Sequence, residues 1–128
     1  MGYRTFREFI AIAEQQGRLR RITKSVDRSW QPAALAKWAF QALSDDDRFG
    51  LLFDHVEGSD FRLVTGALGA STHTYALGLG VSREEINEKW TQALLNPIAP
   101  QAVDTAPCQE VVRLGDDVRL GDLPIPVW

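Results

Sequence analysis

A chain of 128 residues, 45% hydrophobic and 24% charged, fits one globular domain able to bury a core of its own. The net charge of −3 argues against a dedicated nucleic-acid binder. The single cysteine, Cys108, rules out an intrachain disulfide framework and fits a reducing, cytoplasmic compartment.

No apolar run approaches the ~20 residues that span a membrane, and "MGYRTFREF" lacks the apolar stretch of a secretory signal. The charge is uneven. Residues 1–28 hold seven Lys/Arg against three acids, and the remainder holds seven against fourteen. The aromatic residues among the basic ones do not make the interleaved pattern typical of RNA readers, so internal pairing accounts for this asymmetry most simply.

"TFREFIAIAEQQG" reads as a first helix. Thr5 and Glu8 form a capping box, Phe6, Phe9, Ile10 and Ala13 share one face, and Gly17 supplies a left-handed stop. "RLRRITKSV" (18–26) follows as a strand of imperfect alternation. "SWQPAALAKWAFQAL" predicts a second helix with Pro32 in its first turn and an apolar stripe of Leu35, Trp38, Ala39, Ala42 and Leu43.

"SDDDR" ends that helix as a solvated turn. It lacks the ligand spacing, central glycine and terminal glutamate of a calcium loop. Residues 50–58 and 61–69 read as strands joined by "EGSD". The run Leu51, Leu52, Phe53 predicts a strand buried on both faces. "STHTYALGLG" is a short helix capped by Ser71. "VSREEINEKWTQALLNP" is a longer one, with a second capping box (Ser82, Glu85), a core face of Ile86, Trp90, Ala93 and Leu94, and a stop at Asn96-Pro97.

From Pro97 the text changes character, since five of the six prolines fall in the last quarter. It reads as an extended arm, with "CQEVVRL" a possible strand within it. The expected architecture is α/β of the α+β type: a small mixed sheet with about four helices over residues 1–96, then a Pro-rich arm over 97–128. The arm has few means of burying itself, so fast amide exchange is expected after about Pro107.

Catalytic chemistry is sparse. His55 and His73 have no partners at metal-ligand spacing and read as structural or solvent-exposed. "GALGAS" (66–71) runs from strand to helix, but it is not a phosphate-binding fingerprint and reads as a tight turn. Cys108 has no histidine near it in sequence and does not read as a nucleophile. No catalytic, cofactor-binding or metal-binding residue is assigned.

Several segments nevertheless resemble one family. "FREFIAIAEQQGRLRRI" (6–22), "LLFDHVEGSDFRLVTGALGAS" (51–71), "NPIAP", "APCQEVV" and "GDDVRLGDLPIPVW" are similar, in order, to the N-terminal region and linker of the UbiD decarboxylases. Arg62 stands where the pattern has proline, and "STHTYALGLG" matches more loosely.

The resemblance implies a non-oxidative decarboxylase of aromatic or α,β-unsaturated acids. It would use prenylated FMN with manganese and potassium, and would be a homo-oligomer. The arginine and two glutamates of that chemistry lie in a central split-barrel domain, and none maps onto residues 1–128. "LPIPVW" then reads as the segment leading into that domain, with Trp128 buried against it. Two readings follow: an N-terminal structural domain that packs on its own catalytic domain or on a subunit carrying one, or a standalone binding and assembly module of shared ancestry.

Overall fold

The computed structural model describes residues 3–127. Among these, the order is α1 (Phe6–Gln15), β1 (Leu19–Ile22), α2 (Gln31–Ala42), β2 (Gly50–Phe53), β3 (Leu63–Thr65), α3 (Thr72–Leu79) and α4 (Ile86–Leu95), followed by three single-turn 3-10 segments. The sheet order is β1-β2-β3. β1 and β2 are parallel, with Leu19 opposite Gly50 and Ile22 opposite Phe53. β2 and β3 are antiparallel, with Phe53 opposite Leu63. Parallel neighbours need a crossover, and α2 provides it. The mixed α/β architecture expected from the sequence is therefore present.

The core follows from the period of β2. All four of its residues are buried. Leu51 and Phe53 point to one face, where they meet Val26, Ala39, Phe49 and Val56. Leu52 points to the other, where it meets Phe9, Ala13 and Leu19. α2 covers the first face and α1 the second, so the three-residue apolar run is sealed on both sides.

The local signals at α1 hold with one change. Thr5 Oγ1 accepts the Glu8 N–H at 3.2 Å, but the Glu8 carboxylate reaches back to the Arg4 N–H (2.9 Å) rather than to that of Thr5. Gly17 has φ +69°, the left-handed conformation expected of it. At α3, Ser71 caps as expected. Thr74 completes a reciprocal box that the S/T-x-x-E/Q pattern does not include.

Other expectations are corrected. The strands are shorter than their apolar stretches, because Val26 and Val56 continue the pairing only as isolated bridges. α2 buries Pro32, Ala33 and Ala39, whereas Leu35 and Trp38 face solvent. Small side chains let the helix lie close to β2, and the bulky ones are left on its outer flank. α4 starts at Ile86, later than expected. Residues 82–85 form a turn in which Glu85 N–H bonds the Ser82 carbonyl, and only the Glu85-to-Ser82 half of the box is made. Its expected core face is not buried: no α4 residue is. "CQEVVRL" is not a strand, since Pro107–Gln109 form a 3-10 turn.

The arm also departs from expectation. Residues 97–118 are almost wholly exposed, but residues 121–127 return to the body. The Arg28 guanidinium donates to the carbonyls of Gly121 (2.8 Å) and Leu123 (3.4 Å), and Ser59 Oγ donates to that of Asp122 (2.8 Å). Trp30 N–H bonds the Val127 carbonyl (2.8 Å), and Val127 N–H bonds that of Arg28 (3.0 Å). Fast exchange is therefore not expected at Val127. Main-chain carbonyls accepting from residues ninety positions away leave no trace in composition. The expected burial of Trp128 lies outside the described residues.

Candidate functional site

Two polar networks and one apolar surface stand out. The first network joins the 45–47 turn to α3. The Asp45 carboxylate accepts the Thr72 N–H at 3.2 and 3.3 Å and the Thr72 hydroxyl. It caps the positive end of that helix alongside Ser71. Asp46 Oδ1 lies 3.0 Å from His73 Nε2 and 2.8 Å from Arg83 Nη1, and these two nitrogens are 3.1 Å apart. "SDDDR" is the exposed turn expected from the sequence, and it also makes tertiary bonds. Asp45 and Asp46 tie the loop after α2 to α3 and Arg83. His73 belongs to this brace, and His55 is exposed.

The second network centres on Arg21 of β1. It grips Glu14 of α1 through Nε (2.7 Å) and Nη2 (2.8 Å), and its Nη1 holds Asp54 (2.9 Å). The fork geometry of a guanidinium fixes helix to sheet. Both networks bind chain to chain and offer no open catalytic group. Cys108 is exposed and unpaired. Among the described residues, no three His, Cys, Asp or Glu side chains gather to hold a metal ion. The described residues therefore supply no ligand set for a metal ion, and no reaction step through one is derived for them.

Three carboxylates are held below their usual pKa: Glu14 by its bonds to Arg21, Asp45 by its bonds to Thr72, and Glu85 by the Ser82 N–H and hydroxyl. A depressed folded-state pKa stabilises the fold above the unfolded values of 4.5 for Glu and 3.8 for Asp, and this is lost as pH falls through the lower folded values. Melting temperature should hold from pH 7 to 5 and drop a few degrees by pH 3, the surface position of these groups keeping the effect small. Asp45→Asn should shrink the drop. Circular-dichroism melts with no difference between pH 5 and pH 3 would contradict the assignment.

The apolar surface is the most unusual feature. On α4 and just beyond it, Trp90, Leu94, Leu95 and Ile98 are exposed, Leu94 by 75% and Ile98 by 96%. Trp90 is oriented by a hydrogen bond from Nε1 to the Tyr75 hydroxyl (2.8 Å). Trp30, Trp38, Ile125 and Val127 add further exposed apolar area. Single exposed hydrophobics are ordinary, but a whole helix face is not. The sequence identified the α4 face and assigned it to the core, because period alone reports that a face is apolar and not what covers it.

A small α/β body that leaves one amphipathic helix uncovered has the character of one part of a larger assembly. Comparison with known proteins gives the class: residues 10–94 match the 3-octaprenyl-4-hydroxybenzoate carboxy-lyase N-terminal domain. The chain belongs to the UbiD family, as the resemblance noted above implies.

Among solved structures, it is similar to an evolved dimeric form of the UbiD-class enzyme HmfF from Pelotomaculum thermopropionicum in complex with prFMN. Identity is 33% and the TM-score 0.80, over 98% of this chain and 28% of that one. It is also similar to the vanillic acid decarboxylase of Sedimentibacter hydroxybenzoicus in its open form, at 25% identity and TM-score 0.76, over 96% of this chain and 27% of that one. The chain therefore spans little more than a quarter of the length of these relatives. No helix among the described residues is long and apolar enough to cross a membrane.

Proposed function

We propose that this chain is the N-terminal structural domain of a UbiD-like non-oxidative decarboxylase of aromatic or α,β-unsaturated carboxylic acids, and that it is not catalytic by itself. Residues 1–96 form the body and residues 97–128 the connection toward a central flavin-binding domain. Prenylated FMN, manganese and potassium belong to that domain. The working enzyme is a cytoplasmic homo-oligomer. Family membership supports this reading, as does the prFMN bound in the HmfF relative.

The observation that carries the structural role is the uncovered face of α4. Leu94 and Leu95 contribute nothing to this chain's own core, so they are free to be buried against the catalytic domain. Burying a leucine fully is worth about 1.5–3 kcal/mol, and placing a carboxylate there opposes docking strongly. The double substitution Leu94→Asp, Leu95→Asp should leave the melting temperature of the 128-residue chain nearly unchanged. In the intact enzyme it should lower decarboxylation at least tenfold. An intact enzyme with both substitutions and full activity would contradict this role for α4.

A further inference from the structure

A cleft of about 440 Å³ lies between α1 and the β2–β3 turn, on the sheet face that α1 only partly covers. Its floor is Leu52 and Val64, and Phe6, Ile10 and Phe61 form apolar walls. Phe6 and Phe61 are both more than half exposed, so the walls present aromatic surface to the cleft even though the Phe6 ring also stacks on Phe9 (6.1 Å between centroids). Three arginines reach the lining: Arg7, Arg21 and Arg62.

Arg21 is already neutralised by Glu14 and Asp54. Arg7 and Arg62 are not: among the described residues neither makes a salt bridge or a side-chain hydrogen bond. Arg62 is near enough to Glu14 to help hold it ionised, but it does not bond it. Arg7 sits in the first turn of α1, where a cation opposes the helix dipole and costs stability. Arg7 thus gains nothing from the helix it sits on and stays available beside exposed aromatic surface. Glu14 and Asp60 also line the cleft; Glu14 is taken up by Arg21, so Arg7 and Arg62 are the cations without a bonded carboxylate there.

We propose that this cleft binds an amphiphilic anion, a ligand with an aromatic or other apolar body and a single oxyanion head. The body lies on Phe6, Phe61 and the floor, and the head is taken by Arg7 and Arg62. The volume falls within the range of small-molecule sites, and the lining divides nearly evenly between apolar side chains and charged ones, as an amphiphilic ligand requires. Guanidinium groups match carboxylate and phosphate oxygens with paired, charge-assisted hydrogen bonds. The proposal is independent of the catalytic reading above, since it uses only this chain's residues and requires no chemistry on the ligand.

The test is a titration of the isotopically labelled 128-residue chain with 3-phenylpropionate, followed by amide chemical shifts. Saturable shifts are expected along residues 6–14 and 60–64. The neutral amide, 3-phenylpropionamide, and the bare head, propionate, should each bind at least about tenfold more weakly. Arg7→Gln and Arg62→Gln should each weaken 3-phenylpropionate about tenfold while preserving the dispersed spectrum of the fold. Phenyl phosphate binding more tightly than 3-phenylpropionate would support the site and assign its natural head as phosphate. Absence of saturable shifts, equal affinity for the neutral amide, or arginine variants that bind unchanged would overturn the proposal. So would tighter binding at the same residues by an acidic peptide than by any of these small anions.

Discussion

Phe53→Ala should destabilise the chain by about 3–5 kcal/mol, the range for deleting a fully buried phenylalanine. Phe53 has no exposed surface. It lies on the central strand, opposite Ile22 on one neighbour and Leu63 on the other, and packs in the cluster that includes Ala39 of α2. The backbone follows the same logic, since the next residue, Asp54, donates its N–H to the Ile22 carbonyl (3.0 Å). Truncating the ring leaves a void bordered by both neighbouring strands and the crossover helix, which cannot all move inward at once. Small domains have roughly 5–15 kcal/mol of total stability, so this one change removes a large share of it. Urea unfolding would measure the loss, and a value under about 1 kcal/mol would show that the two-faced burial of β2 is misassigned.

Removing the residues after Gly115 should have two effects that separate on measurement. The first is on the body, because the returning segment supplies the bonds from Arg28, Ser59 and Trp30 described above. Each such hydrogen bond is worth about 0.5–1.5 kcal/mol at most, and less where exposed, so a total loss of about 1–3 kcal/mol is expected. Melting temperature should fall by several degrees. The second effect is on association. Leu123, Ile125 and Val127 are each about half exposed, and Val127 is hydrogen-bonded to the backbone of exposed Trp30. The 128-residue chain should therefore associate in a concentration-dependent way. Shortening should weaken that association roughly tenfold to a hundredfold, from the half-burial of a few aliphatic side chains. Sedimentation equilibrium reads the second effect and thermal melts the first. A shortened chain with an unchanged melting temperature would mean that the 121–127 segment does not dock.

These two experiments divide what was legible in the sequence from what was not. Leu51, Leu52 and Phe53 announced a strand buried on both faces, because a continuous apolar run has no other good place. Thr5, Gly17, Ser71 and Asn96 marked helix ends through local chemistry that needs no tertiary partner. The seam of α2 was misread, because Leu35 and Trp38 outweigh Ala33 and Ala39 in any hydrophobic pattern. Close approach to the sheet selects the small residues instead. The brace from Asp45 and Asp46 to Thr72, His73 and Arg83 was invisible, since an acidic cluster looks the same in sequence whether water or a helix end satisfies it. The docking of residues 121–127 was hidden for a related reason: the acceptors are backbone carbonyls, which every residue carries. The family resemblance was legible because it rests on ordered segments along the whole chain rather than on any single motif.

The proposed role is structural: a domain of a decarboxylase that performs no chemistry alone. It is tested most directly by incubating the purified 128-residue chain with prenylated FMN, manganese and potassium, separating it from free flavin, and following carbon dioxide release from a panel of aryl and acrylic acids. The account predicts no flavin retained by the chain and no turnover above buffer. Flavin that co-elutes with the chain, together with carbon dioxide release from any of these acids, would contradict it.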